Sequence, residues 1–422
     1  MKILLHDYSG HPFQVQLSRE LARRGHDVLH SHCAAHQSGK GDLAPRPGEP
    51  LRIEPIGVGE SVEKLHFARR LVQEVRFGLQ LLAQARRERP DVLLVSNVPI
   101  PMIGVVTVGL AVLRIPWVLW QQDVQAVAMR SFAGKQLPRA FLAVARLSAV
   151  VERWSARRAE AVVVIAESFV DVHREWGTAD KVTVIPNWAP LDEIRPVPRD
   201  NDWSGQHGLD GTRTLLYSGT LGLKHNPRLL VQLAAATRDA GQDVTLVVIS
   251  EGPAEPVLRD EAARLDVPLV LLPFQPYDRL PEVLGSGDVL IVLLEQDAGA
   301  FSVPSKTLSY LCAGRPVLGL MPEENLAAAL VHEIGGSVLP PREDSLDAAA
   351  RWLCTVLDDD ELQAALGSAG RGLAEREFGL DGCADRFQEI LAGSAHGIGP
   401  TTASEAAPST VVPHPSGTVS ST

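Results

Sequence analysis

The chain alternates short apolar runs with longer stretches in which apolar residues recur every three or four positions. Short apolar runs are typical of buried parallel strands, and the longer pattern is typical of helices that cover a sheet. The first half therefore predicts strands at Lys2–His6, Asp27–Ser31, Asp91–Ser96, Trp117–Trp120, Ala161–Ile165 and Val182–Pro186. It predicts helices over Phe13–Arg24, Val62–Arg89, Met102–Leu113 and Leu137–Arg158. This alternation indicates an α/β fold.

The same pattern restarts after Asn187–Gly211, a segment rich in proline and polar residues that we interpret as an interdomain linker. The second half predicts strands at Thr214–Ser218, Val244–Ser250, Leu269–Leu272, Val289–Leu293 and Val317–Leu320. It predicts helices over Asn226–Ala240, Ala254–Leu265, Arg279–Gly285, Lys306–Ala313, Glu323–Glu333, Ser345–Leu357 and Glu361–Leu391. Two such halves predict two Rossmann-like domains that face a central cleft.

Composition limits the class of protein. The chain has 422 residues, 45% of them hydrophobic and 22% charged, which is typical of a soluble globular protein. A net charge of −11 argues against a general nucleic-acid-binding protein. Four widely spaced cysteines fit thiols in a reducing compartment, so we expect a cytoplasmic protein. They are Cys33, Cys312, Cys354 and Cys383.

Two features bear on membranes. Val98–Trp120 is largely apolar, but three prolines and Arg114 interrupt it, so we predict a core helix and a strand there rather than a membrane span. Lys135–Arg158 and Val62–Arg89 combine apolar and basic residues, which suits an anionic membrane surface. An interior helix with a solvated polar face remains the alternative for both stretches, and peripheral attachment to the inner membrane face remains open.

Candidate binding residues follow the strands of the second half. Gly219 and Thr220 end a strand, and Lys224 stands just before the next helix, where an ammonium group can meet a phosphate. Ser305 can cap a second helix whose first turn holds Lys306 and Thr307. A helix start offers free N–H groups and a partial positive charge to an anion.

Two further strand ends fit the rest of a nucleotide. Glu251 can accept hydrogen bonds from the hydroxyl groups of a ribose, and Phe274 or Tyr277 can lie against a flat base. In the first half, Gly10 and His11 occupy the first strand–helix junction, where a glycine lets the backbone approach a ligand closely. Together these positions fit a nucleoside diphosphate better than a metal or a nucleophile site.

The order of these motifs resembles family 4 glycosyltransferases with the GT-B fold, and most of all the bacterial polysaccharide enzymes of the colanic-acid and O-antigen type. The resemblance rests on G-(x)4-K from Gly219, E-G-P from Glu251, a Phe-Pro turn, and the P-S-K-x-L-x-Y-L-x-x-G-x-P-V run from Pro304. The first half adds His-Asp-Tyr-Ser-Gly-His-Pro from His6 and Val-Ile-Pro-Asn-Trp from Val184. The resemblance covers residues 1 to about 392.

The resemblance implies a GT-B enzyme of class EC 2.4 that transfers a hexosyl or N-acetylhexosaminyl group, with retention, from a nucleotide-sugar to a hydroxyl. It implies no metal and no cofactor, a UDP-sugar as donor, and a lipid-linked or glycan acceptor. We predict Lys224, Lys306 and Asp123 as catalytic residues. The predicted donor-binding residues are Gly10, His11, Gln122, Gly219, Thr220, Glu251, Phe274, Ser305 and Thr307.

The domain boundaries follow from the linker and from the resemblance. We predict an acceptor domain over 1–190, a linker over 191–212, a donor domain over 213–380 and a C-terminal helix over 381–395, for which a return to the first domain is the expectation. Residues 396–422 are rich in Pro, Ser, Thr, Ala and Gly, with almost no charge, and are predicted to be disordered.

The chain departs from the family pattern at several positions. Many members carry two glutamates with seven residues between them, and Ser309 and Phe301 stand at the corresponding positions here. Thr220 stands where many members have an arginine, and Gln122 where many have a histidine. These departures leave two alternatives open: a GT-B nucleotide-sugar epimerase and a catalytically silent nucleotide-sugar-binding subunit. A dinucleotide oxidoreductase is disfavoured, because neither half has the G-x-G-x-x-G fingerprint.

Overall fold

The chain builds two parallel β-sheets, each covered by helices on both faces. The structure is a computed structural model that describes residues 1–36, 41–61, 66–125, 139–221, 225–296 and 306–397. The strands of the first sheet are β1 (Lys2–Asp7), β2 (Asp27–Cys33), β3 (Leu51–Ile56), β4 (Val92–Ser96), β5 (Trp117–Gln121), β6 (Ala161–Val164) and β7 (Val182–Val184). Their order is β3-β2-β1-β4-β5-β6-β7, and every pair is parallel.

Helices bury both faces of this first sheet, which explains its near-continuous apolar strands. In β1, Leu4 packs with Phe77 and Val106 on one face, and Leu5 packs with Leu17 on the other. The described helices of this half are α1 (Pro12–Arg23), α2 (Phe67–Glu88), α3 (Ile100–Leu113), α4 (Arg139–Arg158) and α5 (Ser168–Trp176).

The second sheet repeats the topology of the first. Its strands are β8 (Arg213–Ser218), β9 (Val244–Ile249), β10 (Leu269–Leu272), β11 (Val289–Leu293), β12 (Val317–Leu320) and β13 (Ser337–Leu339). The order is β10-β9-β8-β11-β12-β13, again parallel throughout. In each sheet the strand order reverses between two central strands, β1 and β4 in the first and β8 and β11 in the second. Ligands of open α/β sheets bind at such switch points.

The remaining described helices connect and cover the second sheet. They are α6 (Asp202–Gln206), α7 (Arg228–Asp239), α8 (Ala254–Leu265), α9 (Leu280–Gly285), α10 (Lys306–Ala313), α11 (Leu326–Glu333), α12 (Leu346–Leu357), α13 (Asp360–Glu377) and α14 (Leu380–Ala395). Asp359 accepts a hydrogen bond from Leu362 N at 2.9 Å and caps α13.

The last helix leaves the second sheet and packs on the first. α14 contacts α1, β4 and β5. Its Phe387 is fully buried and lies 4.6 Å, ring centroid to ring centroid, from Trp120 of β5 and 6.3 Å from Trp188. The main chain of Ala189 donates to Phe378 O at 2.8 Å, so the two segments that pass between the sheets are bonded to each other.

Several elements differ from the sequence-based prediction. β3 was not predicted, because its Arg52, Glu54 and Pro55 interrupt the apolar pattern of this edge strand. The short β13 and the helix α5 were also not predicted. The predicted helix over Glu361–Leu391 is two helices, separated at Phe378 and Gly379.

The segment that we interpreted as a linker contains the helix α6 and buried apolar residues. Trp203 of α6 is 1% exposed and belongs to the core of the second half. The first residues of the two long helices predicted from Val62 and Leu137, and almost all of the tail predicted to be disordered, lie outside the described residues.

Candidate functional site

The switch point of the second sheet brings Gly219 and Lys306 together. Gly219 directly follows β8, with φ at +146°, and Lys306 begins α10 after β11. A Cβ atom at position 219 would lie 2.9 Å from Lys306 Nζ, so any other residue would displace the ammonium from this position, and the positive φ also favours glycine. The first turn of α10 also offers backbone N–H groups without intrahelical partners.

The Lys306 ammonium is half-buried among aromatic and backbone groups. It donates a hydrogen bond to the Tyr217 hydroxyl and lies 3.9 Å from the centroid of the Tyr217 ring. Burial lowers the pKa of Lys306 to about 7, because water no longer solvates its charge fully. No carboxylate of the described residues forms an ion pair with it, so an anionic ligand would supply the missing counter-charge.

Two tyrosines to which the sequence analysis assigned no role hold this arrangement. The Tyr310 hydroxyl accepts from Ser218 N at 2.9 Å and donates to Ser218 O at 3.2 Å, which ties α10 to the end of β8. The Tyr217 hydroxyl donates to Thr220 O at 3.0 Å. Both rings are buried, so from the sequence alone they look like ordinary core residues.

The two neighbouring strand ends are joined by a side chain. Glu251, after β9, accepts a hydrogen bond through Oε1 from Phe274 N at 3.0 Å. Glu251 is exposed and Phe274 is half-buried. The predicted ribose-binding carboxylate and the predicted base-binding turn therefore lie side by side at the carboxyl edge of the sheet.

The remaining predicted residues of this half are Thr220, Thr307, Lys224 and Ser305. Thr220 is exposed next to Gly219. Thr307 is 1% exposed, and its hydroxyl has no hydrogen-bond partner among the described residues, so its main chain is better placed than its side chain to meet a ligand. Lys224 and Ser305 lie outside the described residues.

In the first half, Asp7 organises the junction that holds Gly10 and His11. Its carboxylate accepts from the main chain of Ser9 and His11 and from Asn97 Nδ2 at 2.8 Å. Burial raises the pKa of Asp7, and these hydrogen bonds act in the opposite direction. Gly10 has φ at +74°, which allows the chain to turn sharply into α1. Asp7 and Asn97 were not predicted, because a polar residue at a strand end has many possible roles.

A cavity of about 310 Å³ opens at the switch point of the first sheet. The predicted residues His11, Gln122 and Asp123 line it, on loops that follow β1 and β5. Its other lining residues include Asn97, Gln125 and Glu152, which add polar groups, and Val98, Ile100 and Ile103, which form an apolar side. Amides and carboxylates around a partly apolar wall suit a polyhydroxyl compound.

Hydrogen bonds fix the two glutamines at the edge of this cavity. Gln122 exchanges two amide hydrogen bonds with Asn187, at 2.8 and 2.9 Å. Gln121 donates to Glu152 Oε1 at 2.9 Å and bonds His173 Nε2 at 2.7 Å. The Gln122 side chain is therefore oriented by a residue of the segment that leads to the second sheet.

The buried His173 gives the fold a dependence on pH. Burial lowers its pKa from 6.5 to about 4, so the unfolded chain binds the proton more readily than the folded one between these values. We expect the stability to fall as the pH is lowered below 6.5, by about 1.4 kcal/mol per pH unit for this group. Between pH 6.5 and pH 5, the free energy of unfolding of His173→Gln should fall by about 2 kcal/mol less than that of the unsubstituted protein. Urea unfolding at both pH values measures the difference. His66→Gln, at an exposed histidine, is the control, and an identical pH dependence of His173→Gln and the unsubstituted protein would contradict the assignment.

The fold and the two switch-point sites define a class of protein: two Rossmann-like domains, each with polar residues at the carboxyl ends of its strands. Residues 11–188 match the profile of a glycosyl transferase 4-like domain, and residues 200–373 match that of the glycosyl transferases group 1. The chain therefore belongs to the family 4 glycosyltransferases, whose fold is GT-B. This confirms the family and the fold that the sequence motifs indicated.

Curated relatives share part of the chain. A 2-deoxystreptamine glucosyltransferase of Streptomyces kanamyceticus is 28% identical over 249 residues, which are 56% of this chain and 60% of that protein. WcaI of Escherichia coli, named as a colanic acid biosynthesis glycosyl transferase, is 26% identical over 176 residues, 40% of this chain and 43% of that protein. In both cases the match spans less than two thirds of the relative.

Solved structures share the whole fold. HepE of Anabaena, solved in complex with UDP-glucose, superposes with a TM-score of 0.68 at 16% identity, covering 93% of this chain and all of that chain. WaaG, a glycosyltransferase involved in lipopolysaccharide biosynthesis, gives a TM-score of 0.67 at 15% identity, again over 93% of this chain. At these identities the likeness concerns the fold.

Proposed function

We propose that this protein transfers a sugar from a nucleotide-sugar to a hydroxyl group of an acceptor, with UDP as the carrier, without a metal ion and with retention at the anomeric carbon. The observation that carries the proposal is the half-buried ammonium of Lys306, which faces Gly219 at the switch point and has no carboxylate partner among the described residues. A diphosphate that leaves a sugar gains negative charge, and a preorganised cation stabilises it.

The neighbouring strand ends support a nucleotide beside this cation. Glu251 uses one oxygen to hold Phe274 N and has a second oxygen for a ribose hydroxyl. Phe274 offers a ring face to the base, and its turn offers backbone groups to the edge of the base. UDP is the preferred carrier because HepE, which has the same fold, was solved with UDP-glucose.

The cavity of the first half supports the acceptor role of that domain. Its amide and carboxylate groups can orient a hydroxyl group towards the donor. Gln122 cannot act as a base, and Asp123 is the ionisable group proposed for this face of the sugar. In a displacement on one face of the sugar the departing phosphate can take the acceptor proton, so positioning and charge stabilisation lower the barrier.

Nucleotide binding tests the donor assignment. We expect UDP to raise the melting temperature more than GDP, ADP or dTDP, equally with and without EDTA, because a ligand that binds the folded state stabilises it. Transfer of labelled sugar from the matching donor to a lipid-linked acceptor would then establish the activity. No shift with any of the four nucleotides would contradict the proposal. Binding without transfer to any acceptor would favour the silent subunit, and conversion of the donor alone would favour the epimerase.

A face of the first domain supports a lipid-linked acceptor. Nine large apolar side chains of the described residues are exposed, and seven of them lie on α2, α3 and α4, which pack side by side on one face of the sheet. They are Leu71, Val72, Leu79, Val108, Val112, Leu147 and Val150. Exposed arginines lie on or directly after the same helices, among them Arg69, Arg76, Arg86, Arg114 and Arg146.

This face fits the surface of an anionic membrane. Basic residues meet the charged headgroups, and the apolar side chains enter the boundary with the acyl chains. The net charge of −11 for the whole chain makes this concentration of arginines distinctive. No helix among the described residues is long and apolar enough to cross a bilayer. A peripheral attachment would bring the cavity of the first domain to a lipid-linked acceptor.

Vesicle flotation tests this face. We expect the protein to float with phosphatidylglycerol vesicles at low salt and less at high salt. Val72→Asp combined with Val112→Asp should lower the bound fraction at least about tenfold. The reason is that the two exposed valines can bury apolar surface in the membrane and the aspartates cannot. Leu326→Asp, at an exposed apolar residue of the second domain, is the matched control. A wild-type protein that stays unbound at low salt would exclude the membrane role and leave a soluble acceptor.

A further inference from the structure

The turn after β10, which carries Phe274, is held in one shape by two side-chain hydrogen bonds. Glu251 Oε1 accepts from Phe274 N at 3.0 Å, and Gln275 Nε2 donates to Pro273 O at 2.9 Å. One bond comes from the neighbouring strand end and the other closes the turn on itself. The main chain around Phe274 is therefore ordered without any ligand.

A tryptophan from the segment between the domains supports this turn. Trp203 Nε1 donates to Gln275 Oε1 at 3.0 Å, and the Trp203 side chain is 1% exposed. The Gln275 amide thus joins Trp203 on one side to Pro273 on the other. A buried donor that loses its acceptor costs stability, so the Trp203 indole N–H favours this orientation of Gln275.

The helix that carries Trp203 is itself fixed in place. Asn201 caps α6 by accepting from Trp203 N at 2.9 Å and Ser204 N at 3.1 Å. The Asn201 amide also donates to Glu282 O and Ser286 Oγ, each at 3.1 Å, and so docks α6 onto α9. The five-residue helix α6 is thereby fixed by its cap and by its bonds to the end of α9.

The far end of the same turn reaches the first domain. The Tyr277 hydroxyl accepts from Gln16 Nε2 at 3.5 Å, the outer limit of a hydrogen bond. Gln16 of α1 also donates to Glu193 and accepts from Trp188 Nε1 at 2.7 Å. Tyr277 is therefore linked, through Gln16 of α1, to Trp188 and Glu193.

We infer that the segment between the domains positions the base-binding turn, with Trp203 and Gln275 as positioning residues that hold Phe274 and its backbone groups for the nucleobase. The inference rests on the proposed nucleotide site. A turn that is ordered before binding loses less conformational entropy when the base arrives, so the bond from Trp203 contributes to affinity without touching the ligand. The pyrophosphate, which Lys306 meets on another strand end, does not depend on this bond.

Trp203→Phe tests the inference, because it removes the indole N–H and keeps a smaller aromatic ring in the core. We expect the Kd for UDP to rise about tenfold, the scale of one lost hydrogen bond, and the Kd for inorganic pyrophosphate to stay unchanged. Gln275→Ala should produce the same pattern. Gln275→Ala also removes the bond to Pro273 O, so the double variant should be little weaker than Gln275→Ala alone. Trp352→Phe, at a half-buried tryptophan of α12, is the matched control, and isothermal titration calorimetry measures all four.

The outcomes separate this inference from the proposed function. If the wild-type protein binds UDP and Trp203→Phe binds it equally well, the positioning role is wrong and the donor site stands. An equal loss for UDP and pyrophosphate would also overturn it, since that pattern indicates a general disturbance of the domain. A wild-type protein that binds neither ligand would overturn the donor site, and the inference with it.

Discussion

Replacing Lys306 by alanine is expected to lower kcat by about 10²-fold or more, the loss that follows removal of one preorganised donor to a developing oxyanion. The ammonium group is half-buried against Tyr217 and Gly219. When it is removed, bulk water does not supply an equivalent donor at the same position. The release of UDP from the donor that thermal screening selects is the measurement. Lys224→Ala is expected on sequence grounds to have an effect of the same size.

Two further substitutions serve as controls for Lys306→Ala. One keeps a positive charge at position 306, and the other removes a lysine ammonium from a different place. Lys306→Arg keeps the charge but not the compact shape, and Gly219 leaves little room, so a partial loss is expected. Lys181→Ala removes an ammonium that donates to the carbonyl oxygens of Arg157 and Ala159 in the first domain, and turnover should be unchanged. Near-normal turnover in Lys306→Ala and Lys224→Ala would contradict the assignment of both lysines.

The pH dependence of binding gives a second measurement on the same lysine. Because burial lowers the pKa of Lys306 to about 7 and a bound diphosphate favours the charged form, binding above pH 7 must take up a proton. The affinity for UDP should therefore fall by about tenfold for each pH unit above 7, and Lys306→Arg should lack this decrease because its guanidinium stays charged.

Replacing Phe387 by alanine is expected to lower the free energy of unfolding by about 3–5 kcal/mol. The side chain is fully buried between Trp120 and Trp188, so the substitution leaves a large cavity where the last helix meets the first sheet. Urea unfolding followed by tryptophan fluorescence measures the loss. Glu389→Ala, at an exposed position of the same helix, should change the stability by less than about 0.5 kcal/mol. Equal effects of the two substitutions would show that α14 contributes no packing to the first domain.

Much of the fold could be predicted because buried parallel strands have simple patterns. β10, β11, β12, α8 and α10 begin and end at the predicted residues. β3 could not be found in this way, because an edge strand with one solvated face need not be apolar, and its Pro55 argues against a central strand. The helix α6 was missed because five residues are too few to show a helical period.

The site could be predicted only as a set of strand ends. Gly219, Lys306, Glu251 and Phe274 were found because glycines, charges and prolines mark the loops after strands. The contacts between them were not visible in the sequence: Tyr217, which receives the lysine hydrogen bond, looks like any apolar strand residue. The same holds for Trp203, whose indole N–H is significant only because the fold brings Gln275 next to it.

The return of α14 to the first sheet also has a consequence for synthesis of the protein on the ribosome. The chain is made from its N-terminus, and domains usually fold in that order. Here the first domain lacks the Phe387 side chain that covers Trp120 until the second domain has been made in full. The second domain is therefore synthesised in full before the first domain receives α14. The domain that begins the chain is the last to be completed.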